Sequence, residues 1–227
     1  MSIIPLLKDK MNLYSNEAAI KYFITQAMAS TVLLYSILVN YNINSTEIFS
    51  WNMFSDIALT SSLLIKMGAA PFHAWFPEVM EGLNWNNCLI MLTWQKIAPM
   101  IMIINMEKFN LLMVISIIMS AMIGSIMGIN QISLRKILSY SSINHIAWML
   151  SSMLNSVSAW MIYFLTYVMI NLNILLIFKY FQVFLIKQMI NIMNENKPLK
   201  FLFSMNFLSL GGLPPFLGFY PKWITVN

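Results

Sequence analysis

From residue 109 to residue 134 the chain carries not one ionisable side chain. A run of that kind is hidden from water only in a bilayer or deep inside protein. Apolar windows of similar length recur at 17–39 (behind a helix start at Ser15 and Asn16), 54–70 (up to Pro71), 85–105, 109–128, 134–154 and 158–185. A last one runs from Leu199 into GGLPPFLGFYP. The windows predict an all-α fold: a polytopic transmembrane helix bundle of about seven spans, forming a single membrane domain over 1–227. Of the 227 residues, 59% are hydrophobic and 9% charged, against about 25% charge in a soluble domain. Little aqueous surface is left.

Cys88 is the single cysteine, which excludes an intrachain disulfide. The +5 charge is spread over loops and reads as topology, not as nucleic-acid binding. Residues 1–16 include Lys8, Asp9, Lys10 and Asn12 and lack the long apolar stretch of a cleavable signal. The 21 methionines, with asparagine inside hydrophobic runs, fit an A+T-rich mitochondrial genome in which an extra codon reads as Met. Threading the windows alternately puts Lys8, Lys10, Arg135, Lys136, Lys187, Lys197 and Lys200 on one side, with Glu47, Asp56, Glu107 and Lys108 on the other. The basic side is expected to face cytoplasm or matrix.

Two segments match in register. Gly68 to Pro77 reads GAAPFHAWFP and Gly212 to Pro221 reads GLPPFLGFYP; both are G-x-x-P-F-x-x followed by two aromatics and Pro. Each follows a hydrophobic helix, and paired interruptions of this sort mark broken helices at ion sites in transporters. Unwound backbone at that depth is tolerated only where protein or a wet cavity covers it. The plainer account is two proline-terminated helices with interfacial aromatics. Each copy carries a lysine near the break, Lys66 before Gly68 and Lys222 after Pro221.

Among ionisable residues Lys96 is placed deepest. It lies about 16 Å along a helix starting at Trp85, roughly half of a ~30 Å hydrocarbon core. It is either the partner of a fixed carboxylate or an amine that is loaded and unloaded with a proton. Lys66 can snorkel to headgroups, although its place at the repeated break favours function. His145, beside Ser141, Ser142 and Asn144, is either a satisfied core histidine or a proton relay. Lys136, next to Arg135, suits an interfacial helix start, and Lys179 suits snorkelling. His73, between Pro71 and Pro77, is expected to make a structural hydrogen bond. Glu78 and Glu81 are expected to be solvated or to fix a loop. Pro99 is expected to bend the third span. No Gly-rich nucleotide loop, HExxH or paired-histidine haem motif occurs. The residues therefore offer no place for flavin, nicotinamide, an iron–sulfur cluster or a nucleotide.

Taken in order, EAAIKYFITQAMAS, KMGAAPFHAWFPEVMEG, TWQKIAPM, NQISLRKILSYSSINHIAWM and FLSLGGLPPFLGFYPKW resemble the chain-2 subunits of mitochondrial NADH:ubiquinone oxidoreductase, respiratory complex I, over essentially the whole sequence. The KYFITQAMAS helix and the composition are similar to arthropod forms. The resemblance implies a multi-pass protein of the mitochondrial inner membrane, related to cation/proton antiporter subunits and partnered by other membrane-arm and accessory subunits and by lipid. It implies a proton-translocating role coupled to electron transfer from NADH to ubiquinone. By motif, Lys66 matches the family's lysine at the first broken helix, Lys96 the central lysine and Lys222 the lysine at the second. NADH, FMN, iron–sulfur clusters and ubiquinone are then used elsewhere in the complex; neither a cofactor nor a metal is expected on this chain. The family also carries a buried glutamate upstream of Ile4 and further helices after PKW. The chain is accordingly expected to be an internal part of the protein, with that glutamate as the partner of Lys66. A stand-alone cation/proton antiporter subunit and a structural membrane scaffold are the competing functions.

Overall fold

The structure is a computed structural model and describes residues 13–43, 49–106, 111–195 and 197–226. The chain forms α1 Leu13–Ile43, α2 Phe49–Met67, α3 Trp75–Gly82, α4 Trp85–Leu92, α5 Trp94–Ile104, α6 Leu111–Ile129, α7 Leu134–Asn155, α8 Val157–Phe181, α9 Ile186–Glu195, α10 Lys197–Gly211 and α11 Phe219–Val226. Among the described residues, one isolated bridge, Ser133 with Leu185, ties the loop before α7 to the loop before α9. The expected all-α class holds. Lys8, Lys10, Glu47, Glu107 and Lys108 lie outside the described residues.

The count of about seven spans is not confirmed. Among the described residues, four helical stretches are long and apolar enough to cross a membrane: Leu13–Tyr41, Trp85–Ile104, Leu111–Ile129 and Val157–Phe181. The other three windows become α2, α7 and α10. α10 has only 15 residues before Gly212 ends it. α2 carries Asp56, Lys66 and the Thr60-Ser61-Ser62 run. α7 holds Arg135, Lys136, His145 and repeated serines, yet it is buried along most of its length, from Leu134 to Met153. Polar groups of that kind are shielded by neighbouring helices, here α3, α4, α6, α8 and α11.

The packing of α6 on α7 follows from small residues. Ser116, Ser120 and Gly124 recur at every fourth position of α6 and are buried, leaving a smooth stripe against which another backbone can lie. A Cβ added at Gly124 would stand 2.7 Å from the Asn144 backbone nitrogen and 2.9 Å from the Tyr140 carbonyl. Apart from Ser125, the rest of α6 is apolar, so close approach to the polar α7 depends on the absence of side-chain bulk.

Both repeated segments break their helices in the same way. Gly68 and Gly212 adopt φ of 73° and 77°, the left-handed region that glycine enters without a Cβ penalty. In the first copy Gly68 N–H donates to Ile65 O and Ala69 N–H to Leu64 O, both at 3.1 Å. In the second, Gly212 N–H reaches Ser209 O at 3.0 Å and Leu213 N–H reaches Leu208 O at 3.3 Å. Each pair is a Schellman ending. A cis X-Pro bond follows at Ala70-Pro71 and Pro214-Pro215, and the chain returns to helix at the matched aromatics Trp75 and Phe219. The first break therefore comes at Met67, ahead of the expected stop at Pro71.

A third interruption lies where the sequence points elsewhere. The window 85–105 was expected to bend at Pro99, but Pro99 sits inside α5 and the helix breaks at Thr93. The Thr93 hydroxyl donates to Leu89 O at 2.8 Å, a back-bond that bends helices, and Lys96 N–H reaches only to Thr93 O. α8 likewise stops at Phe181, short of Leu185, because Gln182 turns left-handed and Val183 N–H returns to Phe178 O.

The two post-break helices meet opposite ends of α7. On α3, Glu81 pairs with Lys136 at 2.7 Å, at the start of α7. On α11, the Thr225 carbonyl accepts from Asn155 at the end of α7, at 3.0 Å. Lys136 and Asn155 are separated by about 28 Å of helix, close to the ~30 Å of a hydrocarbon core. The breaks are thus arranged in inverted fashion about one buried helix.

Two outcomes check this architecture. Gly124→Leu forces α6 from α7 and is expected to cost about 1–3 kcal/mol, seen as a lower thermal midpoint of the purified protein. Trp75 Nε1–H donates at 3.1 Å to the Ile65 carbonyl, which also accepts from Gly68 N–H. Trp75→Phe keeps an aromatic ring, removes that donor, and is expected to destabilise the first break by about 1 kcal/mol, read as faster proteolysis or hydrogen exchange around 65–69.

Candidate functional site

Acids and bases are segregated. At the end of the bundle where α1 and α7 begin, Lys21 pairs with Glu17 at 3.0 Å and Glu78 at 2.8 Å, and Lys136 pairs with Glu81. Arg135 donates to Leu83 O at 2.7 Å and stacks on Phe184 at 4.6 Å. These groups line an open cleft. Glu78 and Glu81 therefore fix the loop, as one of their two expected readings had it, and Lys136 gains an ion partner at its interfacial position. Lys179 is exposed late in α8. His73 departs from expectation: its Nδ1 is buried without a hydrogen-bond partner.

The interior cations have no such compensation. Lys96, on the second turn-forming half of the broken α4–α5 pair, is fully buried. Its ammonium donates to the Tyr167 hydroxyl at 3.1 Å and approaches the Ser142 carbonyl at 3.5 Å. Its nitrogen stands 4.8 Å from the Tyr167 ring centre and 5.9 Å from that of Phe76 on α3. Among the described residues no carboxylate pairs with it. The carboxylate-paired alternative for Lys96 therefore has no partner here.

His145 lies one turn along α7 from Ser142. Its Nδ1 is 2.8 Å from the Tyr163 hydroxyl, and its ring lies 5.1 Å from that of Tyr167. Lys222 comes from α11: its ammonium donates to Gly211 O at 2.8 Å, approaches Leu210 O at 3.5 Å, and sits 5.7 Å from the Trp148 ring. The second break is thus capped by an ammonium. Along α7 the order is Ser142 with Lys96, then His145, then Trp148 with Lys222.

Lys66 stays apart from this line. It is the penultimate residue of α2, half-buried, and its ammonium makes no hydrogen bond or ion pair among the described residues. Its carbonyl accepts from Gln26 at 3.4 Å. The α2 end is not a free helix tip, because Ala69 and Ala70 beyond it are fully buried and α3 carries the chain onward. The two break lysines are also not equivalent: Lys66 precedes its glycine and Lys222 lies in the helix after its proline.

Tyr163, Tyr167 and Asn171 were not singled out from sequence, although they recur every fourth residue on α8 and are buried facing the site. Polar tips at helical spacing in an apolar run are the signal that identifies them. Asn144, by contrast, packs toward Gly124 on α6.

Comparison with known proteins bears on the family and the fold. The family model described as NADH:quinone oxidoreductase/Mrp antiporter, TM, matches residues 1–227. NADH-ubiquinone oxidoreductase chain 2 of Anopheles gambiae is 49% identical over 228 residues, covering 100% of this chain and 67% of the relative. The chain of the same name from Locusta migratoria is 46% identical, with 100% and 66% covered. The chain thus spans about two thirds of the curated relatives it matches. A chain of respiratory complex I from Thermus thermophilus superposes with a TM-score of 0.87 at 25% identity, covering 98% of this chain and 55% of that one. A chain of the Mrp complex from Dietzia sp. shares the fold, with a TM-score of 0.82 at 16% identity over 99% of this chain and 48% of that one. With broken helices, interior lysines and a full-length family match in place, the chain belongs to the NADH:quinone oxidoreductase/Mrp antiporter membrane-subunit family.

Proposed function

We propose that this chain is a membrane-arm subunit of a proton-pumping NADH:ubiquinone oxidoreductase of the mitochondrial inner membrane, working beside other membrane-arm and accessory subunits. In this reading NADH, FMN, iron–sulfur clusters and ubiquinone are handled elsewhere in the complex, and Lys66, Lys96, His145 and Lys222 carry protons. The observation behind it is the fully buried Lys96 ammonium, bonded only to neutral oxygens. A lysine kept for structure is expected to face a carboxylate, since burial of an unpaired charge costs several kcal/mol.

An amine so placed has a charge state that answers to its neighbours. A second unit charge at roughly 8 Å, at an effective dielectric of 20, contributes about 2 kcal/mol, or about thirtyfold in a protonation equilibrium. Lys222, His145 and Lys96 succeed one another along α7, so a proton arriving at one alters the occupancy of the next. Imidazole can accept on one nitrogen and donate from the other. His145 therefore suits the middle position, with Tyr163 fixing its Nδ1 side. Lys66 would take its charge cue from the neighbouring subunit or from a carboxylate outside the described residues.

The Mrp likeness supports the fold and keeps the antiporter reading as a competitor. Co-purification with quinone reductase activity, against sodium-dependent proton exchange in vesicles, separates the two. Lys96→Met in the assembled complex is expected to lower NADH-driven proton translocation about tenfold or more, with the complex still assembling. An unchanged proton-to-electron ratio in that variant removes the proposal. Loss of assembly from both Lys66 and Lys96 variants, with coupling intact in what remains, favours a scaffold.

A further inference from the structure

Lys96 and His145 do not bond to each other; the groups between them come from α8. Tyr163, Tyr167 and Asn171 form one buried stripe there. Tyr163 holds His145, and Tyr167 holds Lys96. The Tyr167 hydroxyl accepts from the Lys96 ammonium at 3.1 Å.

A neutral amine reverses the requirement, because its nitrogen then offers a lone pair. Among the groups touching Lys96, the Ser142 carbonyl only accepts and the phenol can both accept and donate. We infer that Tyr167 is a positioning residue for Lys96: its hydroxyl accepts from the charged amine, donates to the neutral one, and so keeps Nζ in one place in both states. This inference rests on the proton-carrying reading above and names the group that makes it geometrically workable. The titratable groups around the hydroxyl are Lys96 from α5, His145 from α7 and Tyr163 from α8, with Lys222 of α11 next along α7; α3 contributes only the apolar Phe76.

The test is made on the assembled complex. Tyr167→Phe removes one oxygen and keeps the ring against Lys96 and His145. NADH-driven proton translocation is followed across pH in this variant, in Lys96→Met and in the unsubstituted complex. The Tyr167→Phe profile is expected to be displaced by about one pH unit, a tenfold change in a protonation equilibrium. A packing role changes the amount of complex and leaves the profile in place. A profile superimposable on the unsubstituted one, with Lys96→Met abolishing translocation, overturns the inference and leaves the proton-carrying reading standing. Translocation that survives Lys96→Met overturns both. If Tyr167→Phe does not assemble, Tyr167→Met fills the same space without a hydroxyl. The same displacement is then expected, and the same superposition overturns the inference.

Discussion

The arrangement of this protein turns on a buried ammonium beside which no carboxylate stands among the described residues. Lys96 is enclosed and meets a phenol, a backbone carbonyl and two aromatic faces. Such a charge is tolerated where dipoles and polarisable rings are fixed in advance to solvate it. The surrounding helices supply those groups from four directions. The α4–α5 break offsets Lys96 from its helix axis, α3 brings Phe76, α7 brings Ser142, and α8 brings Tyr167. Removing any one leaves the ammonium facing apolar atoms.

α7 is the element that makes this possible, and it does so by being polar where its neighbours are not. As an isolated span its serines, His145 and Arg135 would be costly in lipid. Enclosed by other helices, most of those serines return their hydroxyls to their own helix carbonyls, as Ser139, Ser142 and Ser152 do at 2.7 Å. The small-residue stripe on α6 lets the two backbones lie together without bulky side chains between them. Lipid-facing work is left to helices such as α6 and α8, whose outer faces expose Ile115, Ile118, Leu165 and Met169. The same division explains why α7 is not among the helices apolar enough by composition to cross a membrane.

Much of this was legible in the residues. Lys96 could be placed at depth by distance along an apolar run, since a helix advances at a fixed rise. The matched G-x-x-P segments announced two equivalent breaks, and glycine at the first position of each is what a left-handed turn requires. Other features were hidden for physical reasons. Pro99 is tolerated inside α5, while Thr93, an ordinary residue in an apolar window, ends α4 through its hydroxyl; sequence rules weight the proline. Tyr163 and Tyr167 count as apolar in any window, so the polar tips that organise the site disappear into the run that carries them. The segregation of Glu78 and Glu81 to surface pairs also required coordinates, because a carboxylate ten residues from a break could equally have turned inward.

The two breaks share a backbone and differ in what caps them. Lys66 O in the first copy corresponds to Leu210 O in the second, one residue ahead of the end of each helix. The neutral Gln26 amide serves the first, and the Lys222 ammonium approaches the second while donating to Gly211 O. The carbonyls ending a helix carry the negative end of its dipole, so a cation there gains more than an amide does. Helix α10 and the charge on Lys222 are consequently coupled: whatever alters that charge alters the hold on the break. At the first break no such coupling exists, because Trp75 and Gln26 donate whatever the state of Lys66. One backbone motif, used twice in opposite directions, thus gives a break whose cap is fixed and a break whose cap depends on a proton.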